Sequence, residues 1–334
     1  MKDVEIDLKD SLKKFFGFNS FKGNQEDVIK SVLSGKDTFV IMPTGGGKSL
    51  CYQMPAIVSE GTAIIISPLI ALMKNQVDAI RNFSSEDGIA HFLNSSLNKT
   101  ETTRVKEDIT SGKTKMLYVA PESLTKQENI DFFKGITVSF VAVDEAHCIS
   151  QWGHDFRPPY LSINEIRDYV QDVPILALTA TANTHVLKDI QDHLKLNNAK
   201  VFTNSFLRKN IQLNIQKVED KLNPTLDLFH NKDTSGIVYL RSRKKTLEFS
   251  NILQQSGVSA DYFNAGLSID ARWAKQTNWI NGKTKVIVAT TAFGMGINKS
   301  DVRTIAHPDL PEDLESYYQE IGRAGRDGGL SEAF

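Results

Sequence analysis

Short apolar runs and longer amphipathic stretches follow one another along most of the chain. The short runs predict buried strands, and the stretches with apolar residues at helical spacing predict helices packed against them. In the first part of the chain the predicted strands are residues 38–42, 62–67, 115–119, 140–143 and 175–179, and the predicted helices are 48–57, 69–83 and 185–194. Strands that alternate with helices in this way predict a parallel, doubly wound α/β sheet.

The same pattern restarts after a polar stretch at residues 201–211. The later predicted strands are 236–240, 259–263, 286–289 and 304–306, and the later predicted helices are 244–256, 269–281 and 314–321. The sequence therefore predicts two α/β domains, residues 1–204 and 205–334, each with a mostly parallel sheet flanked by helices. With 334 residues, of which 40% are hydrophobic and 24% charged, the chain has enough material for two cores.

A glycine-rich loop follows the first predicted strand. It consists of Thr44, Gly45, Gly46, Gly47, Lys48 and Ser49. The backbone N–H groups of such a loop can surround phosphates, while Lys48 can reach the β/γ-phosphates and Ser49 can hold Mg²⁺. Met42 occupies the place of the first glycine in the usual pattern, so the segment alone is also compatible with a simple turn before a helix.

An acidic pair follows the predicted strand 140–143. Asp144 can bind Mg²⁺ directly or through water, and Glu145, which is not needed as a metal ligand, can polarise the attacking water. Successive side chains of a strand point to opposite faces, so the two neighbouring acids are expected to take different roles. The glycine loop and the acids together predict a nucleoside triphosphatase that uses Mg²⁺.

Composition and charge narrow the classes of partner. A formal net charge of -1 gives no whole-molecule attraction to nucleic acid, so a polyanion would have to bind in a local groove. The two cysteines, Cys51 and Cys148, cannot form a disulfide framework or a four-ligand zinc site, so no zinc is expected. The sequence shows no signal peptide and no apolar run of about 18 residues, which predicts a soluble intracellular protein with no membrane partner.

Two arginines near the C-terminal end form a third candidate site. Arg323 and Arg326 lie three positions apart in a predicted helical stretch, so both could project from one face. An isolated pair of this kind is usually a solvated basic turn. A nucleotide bound by the first domain, however, still lacks a cation for the charge that develops at its γ-phosphate, and an arginine of the second domain can supply it. Hydrolysis would then depend on closure of the two domains.

The loop at residues 148–160, directly after the acids, is rich in large side chains. It contains Trp152, His154, Phe156 and Arg157 among glycine and proline residues. The rings could be core residues, but a loop is a poor place to bury them. Stacking on unpaired bases is the better explanation. Because few residues separate this loop from the acids, we expect strand binding here to influence hydrolysis.

In this order, the motifs resemble the catalytic core of a RecQ-family DNA helicase of superfamily 2, over nearly the whole chain. The matching segments are motif I (44–49), Ia (67–73), II (144–147), III (178–182), IV (239–242), V (289–297) and VI (319–328). The loop at 148–160 resembles the aromatic-rich loop that separates RecQ proteins from other DExH helicases. The resemblance implies two tandem RecA-like domains and places His147 of motif II among the catalytic residues.

The resemblance also implies that the nucleotide is ATP. Residues 16–25 are similar to the family's motif 0, in which a glutamine reads adenine between an aromatic and a basic side chain. It implies this role for Phe18, Lys22 and Gln25. Phe18 and Lys22 stand where tyrosine and arginine are commoner, which keeps a ring and a cation but weakens planar stacking. Asn264 and Asn298 replace a usual histidine and aspartate, with no assigned consequence.

The implied activity is that of an ATP-dependent helicase that moves 3′ to 5′ on single-stranded DNA and separates forked or partly duplex DNA. The alternative is a DNA-stimulated ATPase that binds or remodels DNA without processive unwinding. The alternative is credible because the sequence stops at Phe334, without the zinc, winged-helix and HRDC domains that relatives often carry. We expect either a truncated piece or a protein with its accessory parts elsewhere.

A metabolic P-loop kinase is disfavoured, because such enzymes have one sheet rather than two. The expected location is the cytoplasmic nucleoid if the source is bacterial and the nucleus if it is eukaryotic. Single-strand-binding or repair proteins are the expected classes of partner protein.

Overall fold

The computed structural model describes residues 7–84, 88–94, 97–152, 155–180, 182–230, 234–294 and 299–334. The chain divides into two compact units, Met1–Ser205 and Phe206–Phe334, next to the boundary predicted at residues 204 and 205. His154, Thr181 and residues 295–298, which include Asn298, lie outside the described residues.

The first unit is built on a seven-stranded sheet in which every pairing is parallel. The strand order is β3-β4-β2-β5-β6-β1-β7. The strands are β1 (Thr38–Ile41), β2 (Thr62–Ile66), β3 (Ala90–Leu93), β4 (Met116–Val119), β5 (Val138–Val143), β6 (Ile175–Thr179) and β7 (Lys200–Thr203). The α-helices are α1 (Leu8–Phe16), α2 (Gln25–Leu33), α3 (Lys48–Val58), α4 (Ile70–Ser84), α5 (Lys99–Thr110), α6 (Gln127–Lys134), α7 (Ile166–Tyr169) and α8 (Thr184–His193).

The second unit has a six-stranded sheet, again entirely parallel, in the order β10-β11-β9-β12-β13-β8. Its strands are β8 (Ile211–Leu213), β9 (Ser235–Tyr239), β10 (Ala260–Phe263), β11 (Val286–Ala289), β12 (Val302–Ala306) and β13 (Ser331–Ala333). Its helices are α9 (Leu222–Phe229), α10 (Arg243–Gln255), α11 (Ile269–Ile280) and α12 (Leu314–Ile321). The predicted α/β class with two parallel sheets is confirmed.

The central strands are buried and mostly apolar because helices cover both faces of each sheet. All residues of β1, β2 and β6 are buried, and so are all residues of β9 and β11. The main core cluster of the first unit packs residues in or directly after strands, such as Phe140 and Met42, against helix residues such as Tyr52. In the second unit Trp279 is fully buried and packs edge-on against Phe293.

Two expectations about local structure were wrong. No strand was predicted in the polar stretch 201–211, yet it contains most of β7 and begins β8. Strands β3, β7 and β8, which lie at sheet edges, and β13, which lies between β12 and β8, had not been predicted, because each has only three or four residues. No helix in the described parts of the chain is both long and apolar enough to cross a membrane.

Candidate active site

The phosphate loop lies between β1 and α3. Gly45 and Gly47 adopt positive φ values of 81° and 85°, a conformation that favours glycine. Lys48 begins α3, and its Nζ donates to the carbonyl of Met42 at 3.4 Å, so the ammonium lies across the loop. The predicted loop residues Thr44 to Ser49 therefore join a buried strand to a helix N-terminus, which is the arrangement that holds phosphates.

Met42 explains how the loop departs from the usual glycine pattern. Its side chain is fully buried in the core of the first unit, and its N–H donates to the Thr179 carbonyl at 3.0 Å, so it continues β1. A Cβ atom at Gly46 would lie 2.6 Å from Cγ of Met42. The methionine therefore fills the space beside the loop, and a side chain at Gly46 would collide with it.

Gln25 of the adenine motif contacts the phosphate loop itself. Its Nε2 donates to the Gly47 carbonyl at 3.1 Å, and its Oε1 accepts from the Lys22 N–H at 2.7 Å. Gln25 is only 3% exposed, whereas Phe18 is 52% exposed. Gln25 thus ties the predicted adenine motif to the loop, a structural role that the sequence did not indicate.

The acids lie at the same edge of the sheet as the phosphate loop. Asp144 follows β5 and Lys48 follows β1, and only β6 lies between these parallel strands. The carboxyl ends of parallel strands meet at one edge, which brings the two motifs together. Consistently, the positive charge of Lys48 acts on Asp144 and lowers its pKa, although other effects outweigh it.

Asp144 is a buried carboxylate in a position suited to a metal ion. Burial first, and then the adjacent charge of Glu145, raise the pKa of Asp144 to about 7. Its carboxylate accepts from the Glu145 N–H at 3.0 Å, and its N–H donates to the Ile66 carbonyl at 2.9 Å. A buried acid whose charge is disfavoured, together with the hydroxyl of Ser49, is a hard oxygen donor set that fits Mg²⁺.

Glu145 and His147 are oriented by an unusual turn. Glu145 has a positive φ of 49°, and a short 3₁₀ helix, Ala146–Ile149, follows it. His147 is fully buried, with Nδ1 2.9 Å from Oγ1 of Thr179 and 3.5 Å from a carboxylate oxygen of Glu145. His147 thus links the acidic turn to the end of β6, and Thr179 is a site residue to which the motif analysis assigned no individual role.

The aromatic-rich loop is fastened to the acidic turn at several points. The Arg157 N–H donates to the Cys148 carbonyl at 2.9 Å, and the Tyr160 hydroxyl donates to the Asp144 carbonyl at 3.0 Å. At the start of the loop, the Ser150 hydroxyl donates to Asp189 of α8 at 2.8 Å. The return of the chain past residue 148 therefore holds the loop directly against the motif that carries the acids.

Trp152 and Arg157 differ in their surroundings. The Trp152 side chain is 77% exposed, and Phe156 is half-buried. The guanidinium of Arg157 forms an ion pair with Asp155 at 3.0 Å and also donates to the Pro68 carbonyl at 3.2 Å. These contacts give Arg157 a positioning role within the loop, while Trp152 offers an open ring.

The two arginines near the C-terminal end do not lie on a helix, so the prediction of one shared helical face was wrong. Helix α12 ends at Ile321, and both arginines lie in the turns that follow. Arg323 is buried and donates through its guanidinium to the Gly294 carbonyl. Arg326 is only half-buried. Arg323 therefore holds Gly294, the last residue of motif V that the structure describes before residue 295.

Comparison with known proteins places these features in a family. The family model described as DEAD/DEAH box helicase matches residues 22–190, and the one described as helicase conserved C-terminal domain matches residues 218–328. The ATP-dependent DNA helicase RecQ of Haemophilus influenzae is 45% identical over 96% of this chain and 52% of its own length. The RecQ helicase of Bacillus subtilis is 44% identical over 96% of this chain and 54% of its own length.

The chain spans about half the length of these curated relatives. Among solved structures, the helicase MrfA bound to DNA and AMPPNP matches with a TM-score of 0.79 and 17% identity, over 100% of this chain and 50% of that one. Yeast Dbp5 bound to RNA and ADP BeF3 matches with a TM-score of 0.75 and 16% identity, over 97% and 85% of the two chains. At these identities the structures establish the shared helicase fold.

Proposed function

Because the chain belongs to the DEAD/DEAH box helicase family and is a RecQ-type helicase core, we propose that it couples ATP hydrolysis to movement along single-stranded DNA. The proposed direction is 3′ to 5′, and the proposed substrates are single-stranded and forked or partly duplex DNA. One observation carries the coupling. The loop with the exposed Trp152 is fastened by hydrogen bonds to Cys148 and Asp144, within the turn that bears the catalytic acids.

The chemistry is assigned to residues of the first unit. Lys48 neutralises the β/γ-phosphates, Ser49 and Asp144 hold Mg²⁺, and Glu145 accepts the proton of the attacking water. Mg²⁺ supplies charge neutralisation at the phosphates when it is bound. His147 positions Glu145 and connects it to Thr179 at the end of β6.

The adenine is assigned to Phe18, Lys22 and Gln25. The exposed ring of Phe18 offers a stacking surface, and Lys22 is an exposed cation nearby in the sequence. Gln25 contributes through its polar atoms and through its hold on the phosphate loop. We assign the cation that stabilises the transition state to Arg326 rather than Arg323, because Arg323 is buried against Gly294.

A DNA-stimulated ATPase without processive unwinding is the second candidate, because the exposed Trp152 beside the acidic turn accounts for stimulation of hydrolysis by DNA without requiring strand separation. In either case we propose action where DNA is found, in the nucleoid of a bacterial source or the nucleus of a eukaryotic one. Single-strand-binding and repair proteins are the proposed classes of partner protein.

The two candidates differ in one assay. The chain is incubated with Mg²⁺-ATP and a labelled duplex that carries a 3′ or a 5′ single-stranded tail, and both ATP turnover and strand displacement are measured. We expect DNA to stimulate turnover and the 3′-tailed duplex to be separated. Stimulated turnover without displacement supports the second candidate, and no response of turnover to DNA contradicts both. Lys48→Ala is the control that should lose turnover and displacement together.

A further inference from the structure

Three side chains that can bind a soft divalent cation meet beside the catalytic acids. A ring nitrogen of His147, Sγ of Cys148 and a carboxylate oxygen of Asp155 all lie within 4.8 Å of one another. Sγ of Cys148 is 3.8 Å from Oδ2 of Asp155. Bonds of about 2.0–2.3 Å to zinc place neighbouring tetrahedral donors roughly 3.5 Å apart, so small side-chain movements would suffice to close the set around an ion.

The backbone brings these residues together by two features. The 3₁₀ helix Ala146–Ile149 presents His147 and Cys148 in succession, and both are fully buried. The loop then returns, because the N–H of Arg157 donates to the carbonyl of Cys148 at 2.9 Å, and this places Asp155 beside the thiol. Asp155 is partly exposed, so solvent can reach the cluster from the side of this carboxylate.

We propose that His147, Cys148 and Asp155 form a three-ligand site for Zn²⁺, with water as the fourth ligand, and that bound Zn²⁺ inhibits DNA-stimulated ATP hydrolysis. Nitrogen, sulfur and carboxylate oxygen form the mixed donor set that zinc binds, whereas Mg²⁺ prefers oxygen alone. The site is distinct from the proposed Mg²⁺ ligands Ser49 and Asp144. It also differs from the four-ligand zinc site that two cysteines cannot supply.

Binding of Zn²⁺ at this site would displace the proton of the Cys148 thiol and compete with the ion pair between Arg157 and Asp155. Burial raises the pKa of the Cys148 thiol, and the nearby Asp155 carboxylate raises it further. The thiol releases its proton to solvent as the Zn–S bond forms, because the thiolate is the metal ligand. The ion also competes with Arg157 for the Asp155 carboxylate, because their ion pair is 3.0 Å long.

The inhibition follows from what the three ligands connect. Asp155 belongs to the aromatic-rich loop, and His147 contacts Thr179 and Glu145. A bound ion would fix the loop to the acidic turn and loosen Arg157, which otherwise donates to the Pro68 carbonyl. The regulatory effect rests on the proposed function, but the metal site itself does not.

The test measures binding first, without nucleotide or DNA. Co²⁺ is titrated into the whole chain, and a sulfur-to-cobalt charge-transfer band reports coordination by a thiolate rather than by oxygen donors alone. Competition with Zn²⁺ then gives the zinc affinity. Cys148→Ala should remove the band and weaken Zn²⁺ binding by at least about tenfold, since even loss of an outer-shell partner costs 10–100-fold. Cys51→Ala is the matched control, because Cys51 is the other buried cysteine and lies outside the cluster.

Asp155→Asn provides a second variant in case Cys148→Ala does not fold. It should weaken Co²⁺ and Zn²⁺ binding while keeping a residue of the same size. A band that persists in Cys148→Ala, or that disappears in Cys51→Ala, overturns the site. Inhibition of DNA-stimulated turnover is then measured as a function of free Zn²⁺. Equal inhibition of the unmutated chain and Cys148→Ala overturns the regulatory role, even if the band behaves as expected.

Discussion

At the scale of single residues, Glu145 has the most constrained position in the site. Its positive φ of 49° is uncommon for a residue with a side chain, and such conformations cluster at functional sites. The N–H of Glu145 is held by the Asp144 carboxylate at 3.0 Å, and its own carboxylate approaches His147. The turn therefore separates the acid proposed to hold the metal from the acid proposed to accept a proton.

Replacing Glu145 by Gln should abolish ATP turnover and leave ATP binding intact, because the amide cannot accept the proton while Ser49 and Asp144 are unchanged. Lys48→Ala should also abolish turnover without unfolding the chain. The measurements are ATP turnover, equilibrium binding of a fluorescent ATP analogue, and circular dichroism. Near-normal turnover in correctly folded Glu145→Gln would show that another group is the base.

The raised pKa of Asp144 predicts a pH dependence for Mg²⁺. With a pKa of about 7, the carboxyl carries a proton below neutrality, and that proton must leave before the ion binds. The Mg²⁺ concentration at half-maximal ATP binding should therefore rise as the pH falls below about 7 and stay level above it. Binding is measured by Mg²⁺ titration at several pH values. A half-saturation value that does not change between pH 6 and 8 would contradict a raised pKa at the metal ligand.

Gln25 should affect both the adenine and the phosphate loop. Gln25→Glu keeps the size of the side chain but cannot donate to the Gly47 carbonyl, 3.1 Å away. We expect a raised Michaelis constant for ATP in Gln25→Glu and Gln25→Ala, and a smaller preference for ATP over GTP. Steady-state kinetics with both nucleotides test this, with Phe18→Ala as a variant that removes only the exposed ring. Equal use of ATP and GTP by the unmutated chain would contradict adenine recognition here.

At the scale of elements, the aromatic-rich loop combines an exposed aromatic ring with a backbone that is held in place by hydrogen bonds and an ion pair. Trp152 is exposed, while Arg157 fastens the loop through Asp155 and the Pro68 carbonyl. Loss of the Trp152 ring and loss of the Arg157 contacts should therefore both reduce the stimulation of ATP turnover by DNA, for different reasons. The first removes stacking, worth about 1–3 kcal/mol per base, and the second moves the ring.

Trp152→Ala and Phe156→Ala should keep DNA-independent ATP turnover and lose most of its stimulation by single strands. Arg157→Lys should lose stimulation as well, because a lysine cannot reproduce the fork that contacts Asp155 and Pro68 together. Turnover is measured across a titration of single-stranded DNA, and thermal unfolding is the control. Phe156→Ala should lower the melting temperature more than Trp152→Ala, because only Phe156 is half-buried. Full stimulation in Trp152→Ala and Phe156→Ala would mean that the rings only pack.

The predictability of elements follows their burial. The central strands were predicted within a few residues because they are continuous apolar runs, and Ile175–Thr179 and Val286–Ala289 matched at both ends. Helix α5 was missed, since only Val105 and Ile109 on it are buried. Its capping box of Asn98 and Glu101 was nevertheless visible in the sequence and could have revealed the helix start.

The site was predictable in its motifs and not in its contacts. The glycine loop and the acids were identified because each adjoins a buried strand, and parallel topology then brings them to one edge. The contact of Gln25 with Gly47 and that of His147 with Thr179 join residues far apart in the chain, which spacing cannot reveal. The arginine turn was mistaken for a helix although Gly322 and Gly325 interrupt it, and Gly325 has a positive φ.

At the scale of the whole molecule, each unit has its own hydrophobic core. The clusters around Met42 and around Leu12 lie within the first unit, and those around Trp279 and around Leu253 lie within the second. A unit with a separate core can fold alone. The residues assigned to the adenine, the phosphates and Mg²⁺ all belong to the first unit, whereas Arg326 belongs to the second.

The fragment Met1–Ser205 should therefore fold and bind Mg²⁺-ATP but hydrolyse it very slowly. Loss of an arginine that stabilises the transition state lowers turnover by roughly 10³–10⁵-fold, so the fragment and Arg326→Ala in the whole chain should show losses of similar size. ATP affinity should change little in both. Arg323→Ala is the contrasting variant, because loss of its contact with Gly294 should lower the melting temperature of the second unit. The measurements are thermal unfolding, ATP binding and turnover with and without single-stranded DNA. Turnover by the fragment near that of the whole chain would show that the first unit contains the complete catalytic site and that Arg326 does not act on the nucleotide.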